Sequence, residues 1–217
     1  MKQMIKNILG RMDRKNVLRA VAAGFILTVV FSMMPFFAAC ENISNDVLRL
    51  HVLANSDSEQ DQQLKLSVRD AVLEESAKWY RKAEDFEAAN SAVCTHIGSI
   101  QKAAQDVVRQ AGRDDDVTVQ VTDMYFTTRD YEDFSLPAGK YRTLRVTIGE
   151  GEGKNWWCIV YPSLCLPAAG DNADPKSNGP LTALPETEEE IISNPGEYQV
   201  RFKVVEWYEA VKSLFDK

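Results

Sequence analysis

Five residues that could take part in chemistry fall within nine positions of the chain: Arg49, His51, Asn55, Ser56 and Asp57. On a strand, Arg49, His51 and Asn55 would share one face, so His51 could act as a base with Asp57 nearby. That arrangement would suit a hydrolase that uses His51 and Ser56. The competing interpretation is structural, because Ser56 and Asp57 stand where a helix start needs an oxygen acceptor. Spacing along one strand supplies no third group to hold a base, so we expect a helix cap here and no catalytic residue.

The elements that carry these residues are a strand and the helix that follows it. The apolar run VLRLHVLA predicts a strand at 47–54, and the polar stretch NSDSEQD then leads into a helix over 58–80. Ser56 stands three residues before Glu59 and Ser58 three before Asp61, and both pairs have the spacing of a capping box. One side of this helix is apolar at steps of three and four residues and should face the core: Leu64, Val68, Ala71 and Val72.

The opposite side of the same helix carries Leu66, Arg69 and Leu73. An apolar pair around a central arginine has the composition of a protein-interaction hot spot. We therefore interpret these three residues as a candidate partner contact. The competing explanation is burial beneath the C-terminal part of the chain, because a helix with two apolar sides is either covered twice or keeps one side for a partner.

Hydrophobic periodicity predicts an α+β fold for the rest of the exported chain. A second long helix should span 85–111 and end at Gly112. Alternating residues and a Gly-rich turn predict further strands at 117–123, 140–148, 155–161 and, as an optional fifth, 198–205. We expect one antiparallel sheet of four to five strands with the two long helices on one face, and we leave the strand order open.

The N-terminal part differs in composition from everything that follows. Residues 1–19 hold six basic residues and one acid, and the next twenty residues are uncharged, which at 1.5 Å per residue gives roughly 30 Å, enough to cross a bilayer. The basic flank places the N-terminus inside and exports the rest. We expect these regions: 1–19 basic, 20–40 signal peptide or membrane anchor, 41–166 extracytoplasmic α+β domain, 167–196 flexible loop, and 197–217 a C-terminal strand and helix that rejoin the domain.

Three fates of the N-terminal segment stay open: a retained anchor, cleavage, or lipidation at Cys40. The run Phe37-Ala38-Ala39-Cys40 resembles a bacterial lipoprotein box, in which the cysteine carries the lipid. The bulky Phe37 replaces the usual aliphatic residue of that box, and it also stands at the −3 position of a cleavage after Ala39, where a small residue is preferred.

Charge and cysteine usage exclude several classes of function. A net charge of −7 argues against a nucleic-acid partner. With two histidines, no C-x-x-C and no Gly-rich phosphate loop, we expect no metal, no cofactor and no small-molecule substrate.

Cys158 and Cys165 are our disulfide candidates, because Pro162 between them favours a turn and exported domains permit the bond. Two packed thiols are the alternative.

Three stretches of the chain resemble the stage II sporulation protein R family of endospore-forming bacteria. They are RLHVLANSDSEQDQQLKLSVRDAVL (49–73), TRDYEDFSLPAGKYRTLRVTIGEGEGKNWWCIVYPSLC (128–165) and VRFKVVEW (200–207). The most specific part is NWWC with the Y-P-x-L-C pattern that follows it. Ser163 and Glu132 depart from the family pattern, which often has a second proline and a glycine there.

The resemblance implies a signalling protein and not an enzyme. Such a protein is made in the forespore and exported into the space between the two membranes. There it triggers a membrane-embedded aspartic protease of the mother cell, which removes the pro-sequence of the sigma factor called sigma E. The 167–195 insert and Cys40 lie outside the shared motifs, so the resemblance assigns them no role.

Overall fold

The computed structural model describes residues 14–130, 134–162 and 184–215, and the chain divides into two units, Met1–Ala39 and Cys40–Lys217. Helix α1 (Arg14–Asn45) contains Pro35. Nine large apolar side chains of this helix in the first unit are exposed: Leu18, Val21, Phe25, Ile26, Leu27, Val29, Val30, Phe31 and Met34. Among the described residues, this one helix is long and apolar enough to cross a membrane, a test that a signal sequence also passes.

The second unit contains six strands and five further helices within its described residues. In chain order they are β1 (Leu48–Leu53), α2 (Glu59–Tyr80), α3 (Phe86–Thr95), α4 (Ile97–Gln110), β2 (Val117–Phe126), β3 (Arg129–Asp130), β4 (Ser135–Leu136), β5 (Gly139–Ile148), β6 (Asn155–Tyr161), α5 (Glu186–Ser193) and α6 (Pro195–Phe215). The predicted α+β class is confirmed, and the four strands of the main sheet begin and end within three residues of their predicted bounds.

The main sheet has the strand order β2-β5-β1-β6, and β3 pairs with β4 in a separate ribbon. Strand β1 runs parallel to β5 and antiparallel to β6, while β2 runs antiparallel to β5. The expectation of a purely antiparallel sheet was therefore wrong in this detail. Three helices and the strands β2, β3 and β4 separate β1 from β5, and a crossover of that length permits the parallel pairing that a tight hairpin forbids.

The main core lies between one face of the sheet and the helices α2 and α4, as predicted. The strands contribute Leu50, Val52, Leu144, Val146 and Cys158, and the helices contribute Leu64, Val68, Val72, Ile100, Ala104 and Val108. The register places Leu50 beside Leu144 on one side and Cys158 on the other. Alternation along each strand thus supplies one apolar face for the helices to cover.

The predicted single helix over 85–111 is two helices that meet at His96. This residue leaves the helical region, with φ −106° and ψ 18°. Its ring stacks on Trp79 of α2 with the ring centres 3.5 Å apart, and its Nδ1 lies 2.8 Å from the Ala92 carbonyl oxygen. The apolar spacing continues across the break, so periodicity alone could not reveal it.

The predicted strand at 198–205 was also wrong, because this segment belongs to helix α6. Tyr198, Val200, Phe202 and Val204 alternate as a strand would, yet Phe202 is buried while Val200 and Val204 are exposed. Phe202 and Val205, three residues apart, form the buried side of a helix instead. Helix α5 falls at the end of the expected 167–196 loop, and residues 163–183 lie outside the described residues.

Candidate functional site

His51 occupies the middle of β1, a strand buried on both faces. The register places it between Arg145 of β5 and Trp157 of β6. Its ring stacks on Trp157 with the ring centres 3.7 Å apart, and its Nε2 lies 2.7 Å from Asn155 Oδ1, a spacing at which an N–H donates to the amide oxygen. Burial lowers the pKa of His51 to about 4, because the lost hydration and the charges of Arg145 and Arg49 outweigh the opposing hydrogen bond to Asn155. The ring is therefore neutral near pH 7.

Arg49 lies on the same buried face of β1 as His51 and is fully enclosed. Its guanidinium carbon is 3.8 Å from the centre of the Phe126 ring and 5.0 Å from that of Tyr141. Phe126 in turn meets Trp157 edge to face, with ring centres 5.0 Å apart. The sequence placed Arg49 beside His51 but did not reveal this aromatic packing. The strand face that was a candidate for catalysis is filled with rings.

Ser56 is directed to a carboxylate and not to His51. Its hydroxyl donates to Asp61 Oδ2 at 2.6 Å, and no hydrogen bond joins it to His51 among the residues that the structure describes. A serine nucleophile needs its base within about 3 Å. The helix start uses Ser58, whose hydroxyl accepts the Asp61 N–H at 3.2 Å, so the structural interpretation of this stretch is the one that the geometry supports.

Asp61 is the buried centre of a polar group that we call the Asp61 hub: Asn55, Ser56, Asp61 and Arg113. Asn55 donates its amide N–H to Asp61 Oδ2 at 3.2 Å, and Arg113 Nη2 lies 2.9 Å from Asp61 Oδ1. The hydrogen bond from Ser56 is the largest cause that lowers the Asp61 pKa, with Asn55 and Arg113 adding to it against desolvation. The carboxylate stays charged because three donors surround it.

The hub also holds the turn between β5 and β6. Asn55 Oδ1 accepts the Glu150 N–H at 3.0 Å, and Asp57 Oδ1 accepts the Lys154 N–H at 2.8 Å. The Gly153 N–H donates to the Ala54 carbonyl at 2.9 Å. The two polar stretches NSDSEQD and GEGEGK therefore form one hydrogen-bonded structure.

Two glycines of that turn are needed for the contact. Gly149 has a φ of +56°, and a Cβ built on it would lie 2.2 Å from Asn55 Oδ1. A Cβ on Gly153 would lie 2.2 Å from the Ser56 carbonyl oxygen. Neither spacing is possible for real atoms, so side chains are excluded where the turn approaches the loop.

The candidate partner contact lies where α2 passes the edge strand β6. The Arg69 side chain is only 10% exposed, its guanidinium carbon is 4.5 Å from the centre of the Trp156 ring, and it forms an ion pair with Asp70 at 2.6 Å. Leu66 and Leu73 are half-buried, and Leu73 packs against the main core. Arg69 is thus covered mainly by β6, and the role of these three residues in binding stays a prediction.

The four cysteines occupy different environments. Cys40 is a buried free thiol in α1, and Cys94 is an exposed free thiol in α3. Cys158 is buried and disulfide-bonded. Cys165 lies outside the described residues, so its pairing with Cys158 stays a prediction, as does lipidation at Cys40. Within the described residues, no three His, Cys, Asp or Glu side chains are grouped as a metal site requires.

These features define an α+β domain that follows an apolar helix. Its Asp61 hub stabilises the turn between β5 and β6. A family model described as stage II sporulation protein R matches residues 44–170. The chain belongs to this family. It is 36% identical over 124 residues to the stage II sporulation protein R of Bacillus subtilis (strain 168), an alignment that covers 57% of this chain and 55% of that protein. The chain thus matches about half the length of this relative. No solved structure matches it.

Proposed function

We propose that this protein is an exported sporulation signal that activates a membrane-embedded aspartic protease of the mother cell, which then processes the pro-sigma E factor. The signal would be made in the forespore and act in the intermembrane space. Family membership over 44–170 carries the proposal. The polar residues of the shared 49–73 stretch also support the proposal. Ser56 and Asp61, for example, are used in contacts within the domain.

The N-terminal segment supports the export part of the proposal. Helix α1 has the length and composition of a membrane span or signal sequence, and six basic residues precede its uncharged stretch. That charge bias directs the domain across the membrane. The partner protease is itself membrane-embedded in this proposal, so a signal that remains anchored would meet it at a membrane surface.

The contact with the protease would use the surface around Leu66, Arg69 and Leu73. The Arg69 guanidinium stacks on the Trp156 ring, and Leu73 follows four residues later on the same side of α2, which is the composition of a binding hot spot. The Arg69 side chain is 10% exposed, and the half-buried Leu66 precedes it by three residues on the same side of α2. A partner that covers this edge would gain a largely preorganised arginine.

Reconstitution tests the proposal directly. Full-length protein is added to vesicles that bear the protease and its pro-sigma substrate, and cleavage of the substrate is followed over time. Parent protein should start cleavage, and its omission should abolish it. Arg69→Glu should lose most of the activation at an unchanged dose, whereas Arg109→Glu, at an exposed arginine of α4, should retain it. Normal activation by a stable Arg69→Glu protein would remove Arg69 from the interface.

His51→Gln separates signalling from hydrolysis in the same assay. Because His51 is buried against Trp157, the signalling proposal predicts near-normal activation wherever the variant is folded. Near-complete loss of activity in a folded His51→Gln protein would favour an envelope hydrolase instead. A chain that is labelled with lipid at Cys40 and has no effect on the protease would indicate a structural envelope lipoprotein.

A further inference from the structure

We propose that the outward side of helix α6 lies on the surface of a lipid bilayer with anionic headgroups. This side, the α6 outer face, consists of Val200, Val204, Trp207, Tyr208 and Val211, all of which are exposed. Val200 and Trp207 are the most open, at 79% and 78%. Contiguous apolar side chains at this exposure mark a docking surface rather than ordinary solvent contact.

The spacing of the outer face shows that it is a continuous stripe. Val200, Val204, Trp207 and Val211 follow one another at steps of four, three and four residues, which align them along one side of a helix. Phe202 and Val205 are buried on the other side, where α6 contacts its own domain. The helix is therefore apolar on two sides, and among the described residues only the side of Phe202 and Val205 is buried.

The basic and acidic side chains of α6 differ in exposure. The side chains of Glu206 and Glu209 are 18% and 20% exposed, whereas those of their partners Lys203 and Lys212 are 74% and 47% exposed. Arg201 is exposed as well. Each lysine is ion-paired with its glutamate, at 2.7 Å for Lys203 and 3.9 Å for Lys212, and the lysine is the more exposed member of each pair. A chain of net charge −7 thus presents exposed basic side chains beside an exposed apolar stripe, which is the pattern of an interfacial helix on anionic lipid.

The aromatic residues of the stripe fit the same surface. Trp207 and Tyr208 combine an apolar ring with a polar group, and such rings prefer the headgroup level of a bilayer. A second copy of the chain fits less well. In a helix pair joined through this stripe the flanking positions would be Arg201, Lys203, Ala210 and Lys212, which include no acid and so form no ion pairs between helices.

Tryptophan quenching by lipid tests the proposal in the full-length protein. The protein is reconstituted into phosphatidylcholine vesicles, with or without phosphatidylglycerol, in which a fraction of the lipid carries brominated acyl chains. With phosphatidylglycerol present, we expect a quenched component that Trp207→Phe removes and Trp79→Phe, on α2, leaves in place. Salt and the omission of phosphatidylglycerol should reduce this component, because the basic groups contribute to binding.

A pair of charge substitutions locates the contact. Val200→Glu with Val211→Glu places two acids on the outer face at exposed positions, so the fold should survive and the Trp207 quenching should be lost. The matched control, Gln101→Glu with Gln110→Glu, adds the same charge at exposed positions of α4 and should keep the quenching.

Two results would overturn the proposal. One is lipid quenching that is the same in the parent and in Trp207→Phe. The other is a dimer that forms without Trp207 quenching and is lost in the Val200→Glu, Val211→Glu protein, which would assign the face to a second copy. None of these measurements involves the protease, so they can fail while the proposed signalling function stands.

Discussion

The Asp61 hub and helix α6 place polar and apolar groups in opposite ways. The loop around Asn55 and Ser56 is among the most polar parts of the sequence, yet its donors point inward to a carboxylate that is only 3% exposed. The α6 outer face carries Trp207 and three valines, yet these are turned away from the domain. Hydrogen-bond partners, and not the polarity of a stretch, thus decide which side chains lie inside.

This difference predicts where substitutions change stability. The hub connects β1, α2 and the β5–β6 turn, so its loss should loosen several elements at once. The α6 outer face contacts solvent in the isolated chain, so charges added there should alter binding and leave folding unchanged. The free energy of unfolding of the full chain, measured in one detergent, compares substitutions in the two regions.

Asp61→Ala should lower the free energy of unfolding by about 3 kcal/mol, because it leaves the Ser56 and Asn55 donors without their acceptor and takes one carboxylate from Arg113. Arg113 keeps its second partner, Asp115, which limits the loss. Urea denaturation measures the change. Val200→Glu with Val211→Glu is the comparison from the other region and should stay within about 0.5 kcal/mol of the parent. Equal losses in both variants would contradict the contrast between the regions.

Gly153→Ala should cost about 1–3 kcal/mol, because the added methyl group would meet the Ser56 carbonyl oxygen and the backbone has to move apart. Thermal unfolding reports the loss. The control is Gly98→Ala in α4, where nothing lies within 4 Å of the added carbon, and the better helix propensity of alanine should leave the protein as stable or slightly more stable. A Gly153→Ala protein as stable as the parent would mean that the loop and the turn are not held together.

His51 should make the protein less stable at mildly acidic pH. Because burial lowers its pKa from the usual 6.5 to about 4, the unfolded state takes up a proton first as the pH falls. The contribution of the neutral His51 ring to the free energy of unfolding is complete above pH 6.5 and is lost progressively down to about pH 4. The loss between pH 6.5 and 5 is about 1.5 kcal/mol.

Urea titrations of the parent and His51→Gln at pH 7, 6 and 5 isolate this effect. The difference between their free energies of unfolding should shrink as the pH falls. Asp61 does not interfere, because its lowered pKa confines its loss of stability to pH values below about 4. A parent protein whose stability is flat from pH 7 to 5 would show that His51 is not buried as a neutral ring.

The sequence predicted the elements built from local patterns. The strands at β1, β5 and β6 followed from alternation, and the start of α2 followed from capping-box spacing, which allowed a cap at Ser56 or at Ser58. The structure uses Ser58. The parallel pairing of β1 with β5 did not follow, because it depends on the path of a crossover. The break at His96 depends on stacking with Trp79, a contact between two helices, and leaves the apolar spacing unchanged.

The C-terminal error has a more specific cause. Tyr198, Val200, Phe202 and Val204 satisfy alternation, but Val200, Val204, Trp207 and Val211 also satisfy helical spacing, and the second pattern runs for longer. For the site, capping chemistry correctly favoured a structural role for Ser56. The sequence indicated Asp61 only as a position in the helix cap, and not as the acceptor of the Ser56 hydroxyl. Nothing in the sequence placed Arg113, 52 residues further on, beside that carboxylate.

The smallest expected effect is the coupling energy between Arg69 and Trp156. This energy shows whether a partner meets an Arg69 side chain that is already held in one position. The guanidinium carbon lies 4.5 Å from the centre of the Trp156 ring, so we expect a coupling of about 0.5–1 kcal/mol in a double-mutant cycle of Arg69→Ala and Trp156→Leu. A value in that range means that a partner meets an arginine already held in place, and Arg69→Lys should then weaken activation because an ammonium group lacks the flat face that stacks on the ring. Additive losses in the cycle would instead leave the side chain free to reorient, and binding would have to fix it at an entropic cost.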